Sequence, residues 1–165
     1  MASSELQERL VSYLTDVHSL EQNAINMLQM GSEQAGEQGL RDAFRQHLAE
    51  TEEHQRLISQ RLEHYDESSS TLKDVAQKGG AMLSGMMAKA APDTTGKLAI
   101  QAYAFEHAEI ASYRMLRVVA ERAGDHETVQ VAERILAQEQ AAAQKLDGLL
   151  DHVAAFDLEQ MGAAA

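Results

Sequence analysis

His47-Leu48-Ala49-Glu50-Thr51-Glu52-Glu53-His54, set between Leu40-Arg41-Asp42-Ala43-Phe44 and Arg56-Leu57-Ile58, has helical spacing but unusual chemistry for a core helix. Leu40, Ala43, His47, Glu50, His54, Leu57 and Arg61 recur at the helical period along one stripe, with Phe44, Leu48, Thr51, Ile58 and Leu62 on the next. A stripe that meets an apolar core has no ordinary use for a carboxylate and two imidazoles. A buried, unpaired charge costs several kcal/mol or is neutralised by a proton. Residues 40–62 therefore predict a helix packed around a polar site.

The rest of the chain repeats the pattern. A first helix is expected over about Ser4–Met30, with Leu6, Leu10, Leu14, Val17, Glu21, Ala24 and Leu28 on one face, ended by Gly31, Gly36 and Gly39. The second spans about Gly39–Tyr65. The third runs over about Lys97–Ala123, aligning Leu98, Ala102, Glu106, Glu109, Tyr113 and Leu116, and stops at Gly124. The fourth runs from His126 or Glu127 to Phe156, aligning Val129, Ala132, Leu136, Glu139, Ala143, Leu146 and Leu150. Residues 71–97 are less regular. Thr71–Ala91 reads as one or two short helices with Met82, Met86 and Met87 as adaptable packing groups, and Pro92-Asp93-Thr94-Thr95-Gly96 as turn and N-cap.

Short loops join helices one and two, and three and four, so each pair is expected to form an antiparallel hairpin. The long middle segment, about residues 66–97, then carries the chain between hairpins. An all-α, ferritin-like four-helix bundle with one partly helical crossover is the predicted fold, over residues 1–160, with residues 161–165 a disordered tail. An up-down-up-down bundle is the competing topology.

Composition agrees. The 165 residues include one Pro and no Trp, and β-branched residues form no alternating runs. The absence of Cys removes disulfides, thiolate metal sites and cysteine nucleophiles. A net charge of -12 argues against nucleic acid or an anionic membrane as partner. No stretch is apolar for long enough to span a bilayer, and Met1–Glu5 does not look secretory, so a cytoplasmic location is expected. Phosphate-binding loops and nucleophile elbows are missing.

Each long helix aims at least one Glu at the core: Glu21, Glu50, Glu106 with Glu109, and Glu139. Converging carboxylates repel one another unless cations lie between them. Two divalent metal ions would resolve both the burial and the repulsion. Carboxylates with imidazole suit iron first and manganese second. The halves of the chain also match weakly, placing Glu50 on Glu139 and Glu21 on Glu106.

Residues 47–57 resemble the second-helix signature of the YciE/YciF-type ferritin-like domain family. Tyr103-Ala104-Phe105-Glu106-His107-Ala108-Glu109-Ile110-Ala111-Ser112-Tyr113 resembles its third-helix signature, and Glu21 and Glu139 also fit. The resemblance implies a ferritin-like bundle, often a homodimer, with a di-iron-like site and a link to bacterial stress responses. Two departures stand out. The Glu-x-x-His of ferritin-type sites is here Glu50 with His54 four residues on. On the fourth helix the position matching His54 is Ala143, which cannot ligate.

The expected metal ligands are Glu21, Glu50, His54, Glu106, Glu109 and Glu139. His47 is a ligand or supporting partner, and Tyr113 a hydrogen bonder or redox-active phenol beside them. The expected activity is oxidase- or peroxidase-like, the metal pair meeting oxygen or peroxide. A non-enzymatic helical stress or structural protein with a degenerate site is the alternative. A helical adaptor has only the methionines of the middle segment behind it.

Overall fold

A computed structural model of the chain describes residues 2–65 and 92–162. Four helices account for almost all of them: α1 (Ala2–Gln34), α2 (Gln38–His64), α3 (Thr95–Ala123) and α4 (His126–Gln160). Local chemistry sets most of the ends. The Glu37 carboxylate accepts from Gly39 and Leu40 N–H at 2.9 and 2.6 Å to open α2, and Thr94 Oγ1 accepts from Lys97 N–H at 3.2 Å to open α3. Gly124, at φ 78°, closes α3, and Asp125 accepts from Thr128 N–H at 2.9 Å to start α4.

The first helix does not stop at Met30. It runs through Gly31 to Gln34, and Gly31 is a packing contact rather than a stop: a Cβ there would come within 2.8 Å of Cε2 of Phe44. On α2 the buried face is the seam between the two expected stripes, centred on His47, Thr51, His54 and Ile58. Glu50 and Leu57 lie at its edge, only partly covered.

Two apolar clusters fix the topology. One joins Leu20, Ala24 and Leu28 of α1 to Leu40 and Phe44, Leu98 and Phe105, and Leu146 and Val153. The other joins Leu10 and Leu14 to Ile58 and Leu62, Leu116 and Ala120, and Ala132 and Ile135. The start of α2 thus shares an end of the bundle with the start of α3 and the finish of α1 and α4. Neighbouring helices are antiparallel, while α2 and α3 run the same way on a diagonal. After α2 the chain must return the full length of the bundle before α3 begins. This is the ferritin-like topology, and an up-down-up-down arrangement is excluded. The expected helices of the crossover, with Met82, Met86 and Met87, lie outside the described residues, as do residues 163–165 of the expected tail. Gly162 N–H donates to Glu159 O at 3.0 Å and closes α4.

Candidate metal centre

Between the apolar clusters lies a polar layer to which each of the four helices contributes. It comprises Glu21 of α1, His47 and His54 of α2, Glu106 and Glu109 of α3, and Glu139 of α4, none more than 6% exposed. The two histidines are two turns apart and Glu106 is one turn from Glu109, so both pairs share a helix face. The apolar positions flanking them, Phe44 with Ile58 and Phe105 with Tyr113, hold those faces inward.

Donor atoms of His47, Glu106, Glu109 and Glu139 lie within 4.8 Å of one another, as do those of Glu21, His54 and Glu139. Glu139 belongs to both sets. His47 Nε2 is 3.1 Å from Glu106 and 3.2 Å from Glu139, and His54 Nδ1 is 2.9 Å from Glu139 and 3.6 Å from Glu21. These approaches are close but not aligned as hydrogen bonds. Among the described residues, every buried side-chain polar atom without a hydrogen-bond partner belongs to these six residues, nine atoms in all. Their donor atoms instead gather into those two groups.

The far ring nitrogens are occupied. His47 Nδ1 pairs with Glu50 Oε2 at 3.1 Å and His54 Nε2 with Gln138 Oε1 at 3.2 Å. Both outer partners accept, so each outer nitrogen carries the proton, a tautomer inferred from its partner. In the neutral ring the inner nitrogen is then a lone-pair donor facing the carboxylates, the arrangement metal-binding histidines adopt. Tyr113, fully buried, donates its hydroxyl to Glu21 Oε1 and leaves Oε2 facing the layer.

The electrostatics show the cost of the arrangement. Burial, reinforced by the charges of Glu139, Glu21 and Glu106, pushes Glu109 well above the usual carboxylate range. Burial also raises Glu21 against the pull of His54, and raises Glu106 to about 7 against the pull of His47. Burial would lower both histidines, but the adjoining carboxylates outweigh it and hold His47 at about 11 and His54 at about 9. Glu139 goes the other way, to about 2, because the two imidazoliums overcome its burial. Protons alone can thus settle the layer only by mixing charged histidines with neutral carboxyls. Two divalent cations would balance four carboxylates and two neutral imidazoles without protons. The buried His/Glu group is compatible with a metal site.

Of the residues singled out from sequence, Glu21, His54, Glu106, Glu109 and Glu139 meet in this layer, with His47 beside Glu106 and Glu139. Glu50 does not enter it. Its side chain is 32% exposed and stands behind His47. Ala143 is buried one turn past Glu139 and offers no donor, while Glu109 lies in the layer from the facing helix. Gln138 was not anticipated: a glutamine beside a core glutamate carries no sequence signal of its own.

Residues 5–159 match the family model described as Domain of unknown function (DUF892). The chain belongs to the DUF892 family. A crystal structure of a protein from Xanthomonas campestris pv. campestris is similar, at 29% identity over 96% of this chain and 99% of that one, TM-score 0.79. The Escherichia coli stress protein YciF is 22% identical over 90% and 96% of the two chains, TM-score 0.70. A dodecameric thioferritin, the bacterioferritin-related protein of Bacteroides fragilis, is 20% identical over 93% and 94%, TM-score 0.72. The last two bear on the fold alone. Family and fold agree with the resemblance of residues 47–57 and 103–113 to YciE/YciF-type ferritin-like domains. Among the described residues of this DUF892 chain, no helix is long and apolar enough to cross a membrane.

Proposed function

We propose that the polar layer holds two divalent metal ions, iron in preference to manganese, and that the protein brings them into reaction with oxygen or peroxide. The observation that carries this reading is the confinement of all nine unpartnered buried polar atoms, among the described residues, to six metal-ligating side chains on four helices. Buried polar groups are otherwise almost always satisfied. His47, Glu106, Glu109 and Glu139 would hold one ion, and Glu21, His54 and Glu139 the other, with Glu139 shared. Such a pair, when bound, supplies electrons and Lewis acidity to a small oxidant. The protein's own residues orient the donors. Glu50 and Gln138 fix the two rings, Tyr113 fixes Glu21, and apolar clusters flank the layer above and below.

A stress role, a homodimer and a cytoplasmic setting belong to the same proposal. The E. coli relative is called a stress protein and the B. fragilis relative is a dodecamer, which supports stress chemistry and association of copies. The competing reading is a helical stress or structural protein without a working centre, favoured by the donorless Ala143 and the outward Glu50.

One experiment separates them. The untagged protein, produced with added iron and manganese, is assayed for metal per chain by plasma mass spectrometry beside Glu139→Ala. Near two ions per chain in the native protein, lost in the variant, supports the proposal and justifies oxygen and peroxide assays. Absence of metal in a folded native protein sinks it.

A further inference from the structure

The seam between α2 and α4 opens into a pocket of about 270 Å³. Its buried walls are Leu28, Ala43, Phe44 and Leu146, and at its inner end lie His47 and Glu106. Both oxygens of Glu106 are without a hydrogen-bond partner, and the residue is 1% exposed. The exposed lining residues mark the mouth. There Lys145 Nζ donates to Gln46 Oε1 at 2.6 Å and has no carboxylate partner among the described residues. Glu50, also in the lining, is engaged with His47.

This combination specifies a ligand class. A cavity of about 150 Å³ accommodates benzene, so this pocket has room for roughly ten non-hydrogen atoms. Its walls favour an apolar body, and the ammonium at the mouth favours an anionic head through a charge-assisted hydrogen bond. We propose that the pocket binds a small organic monocarboxylate, its apolar body against Leu28, Ala43, Phe44 and Leu146 between α2 and α4 and its carboxylate on Lys145. The site rests on the pocket and the lysine, not on the metal reading, and the two can fail separately.

Octanoate, 1-octanol and octylamine are titrated calorimetrically into the full chain, into Lys145→Ala and into Ala141→Phe, which narrows the α4 wall from an exposed position. Metal content and thermal melting are recorded for each protein. Octanoate should bind saturably, one per chain. Lys145→Ala should weaken octanoate about fivefold, as an exposed charge pair allows, and leave octanol unchanged. Ala141→Phe should abolish binding of both without altering melting or metal content; Ala137→Phe on the same wall serves if Ala141→Phe melts early. Octanoate that fails to saturate the native protein at millimolar concentration, or binds Ala141→Phe undiminished, overturns the site. Octylamine binding as tightly as octanoate overturns the role of Lys145. Binding seen only on dilution to a monomer assigns the seam to a second copy instead. Octanoate binding with no metal in any sample leaves the pocket standing and removes the metal centre.

Discussion

Glu109 has the least favourable surroundings of any residue in the layer. It is fully buried, both oxygens are unpartnered, and three other carboxylates press on it. Nothing in the apolar packing requires an acid there. Glu109→Leu is therefore expected to stabilise the metal-free protein by about 1–3 kcal/mol, since an unsatisfied polar group is replaced by an apolar one of similar size. The same change should lower metal retention. Urea midpoints in chelator and metal counts measure the two effects, and a less stable metal-free variant would show that Glu109 has a compensating partner. Glu109 was readable from sequence because it shares a stripe with Leu98, Ala102 and Leu116. The exchange of roles between Glu50 and His47 was not. Both sit near the buried arc of α2, and which one turns inward depends on how α4 approaches, which α2 does not encode.

Helix lengths show the same division between local and distant information. Caps at Thr94 and Gly124 are written in neighbouring residues and were legible. Gly31 was misleading, because a glycine in a helix and a glycine ending one look alike until the partner is known. The partner is Phe44, and the distinction makes a paired prediction. Gly31→Ala gains helix propensity but places a Cβ 2.8 Å from Cε2 and 2.9 Å from Cδ2 of a buried ring. Overpacking of that kind costs about 1–3 kcal/mol and outweighs the gain of about 1 kcal/mol. Gly148→Ala lies inside α4 with nothing within 4 Å of its new Cβ, so it should stabilise by about 0.5–1 kcal/mol. Opposite shifts in thermal midpoint are expected. A stabilised Gly31→Ala would mean that Phe44 can move aside.

At the scale of the molecule, two cross-bundle ties differ in kind. At the end where the chain leaves α2, buried Arg61 meets Asp125 at 3.0 Å and also Glu127, while Tyr65 donates to Asp125 at 2.6 Å. Burial opposes ionisation of Asp125, but Thr128, Tyr65 and Arg61 outweigh it and hold its carboxyl below the ordinary range. A depressed folded pKa means stability present above about pH 3.9 and lost as pH falls through the folded value. Asp125→Asn keeps a helix cap, so it should cost about 1–2 kcal/mol at neutral pH and flatten the acid decline. Acid titrations of stability for both proteins check this. An unchanged acid limb would remove Asp125 from the tie.

The second tie is the polar layer itself. Because it divides the core into two apolar clusters, the middle of the bundle gains little from hydrophobic burial. Six unsatisfied side chains weaken that level in the absence of metal, and shared ligation would join all four helices there. Binding to the folded chain alone, at a free metal concentration about a hundredfold above Kd, is worth about 2.7 kcal/mol. In a chain of 165 residues that corresponds to roughly 5–10 °C in melting temperature. Chelation should therefore lower the native midpoint by that amount and leave Glu139→Ala unmoved, since the variant has lost the residue common to both donor sets. Equal, chelator-independent melting of metal-supplemented native protein would mean that protons, not metals, neutralise the layer. The bundle would then hold its carboxylates at a standing cost in stability.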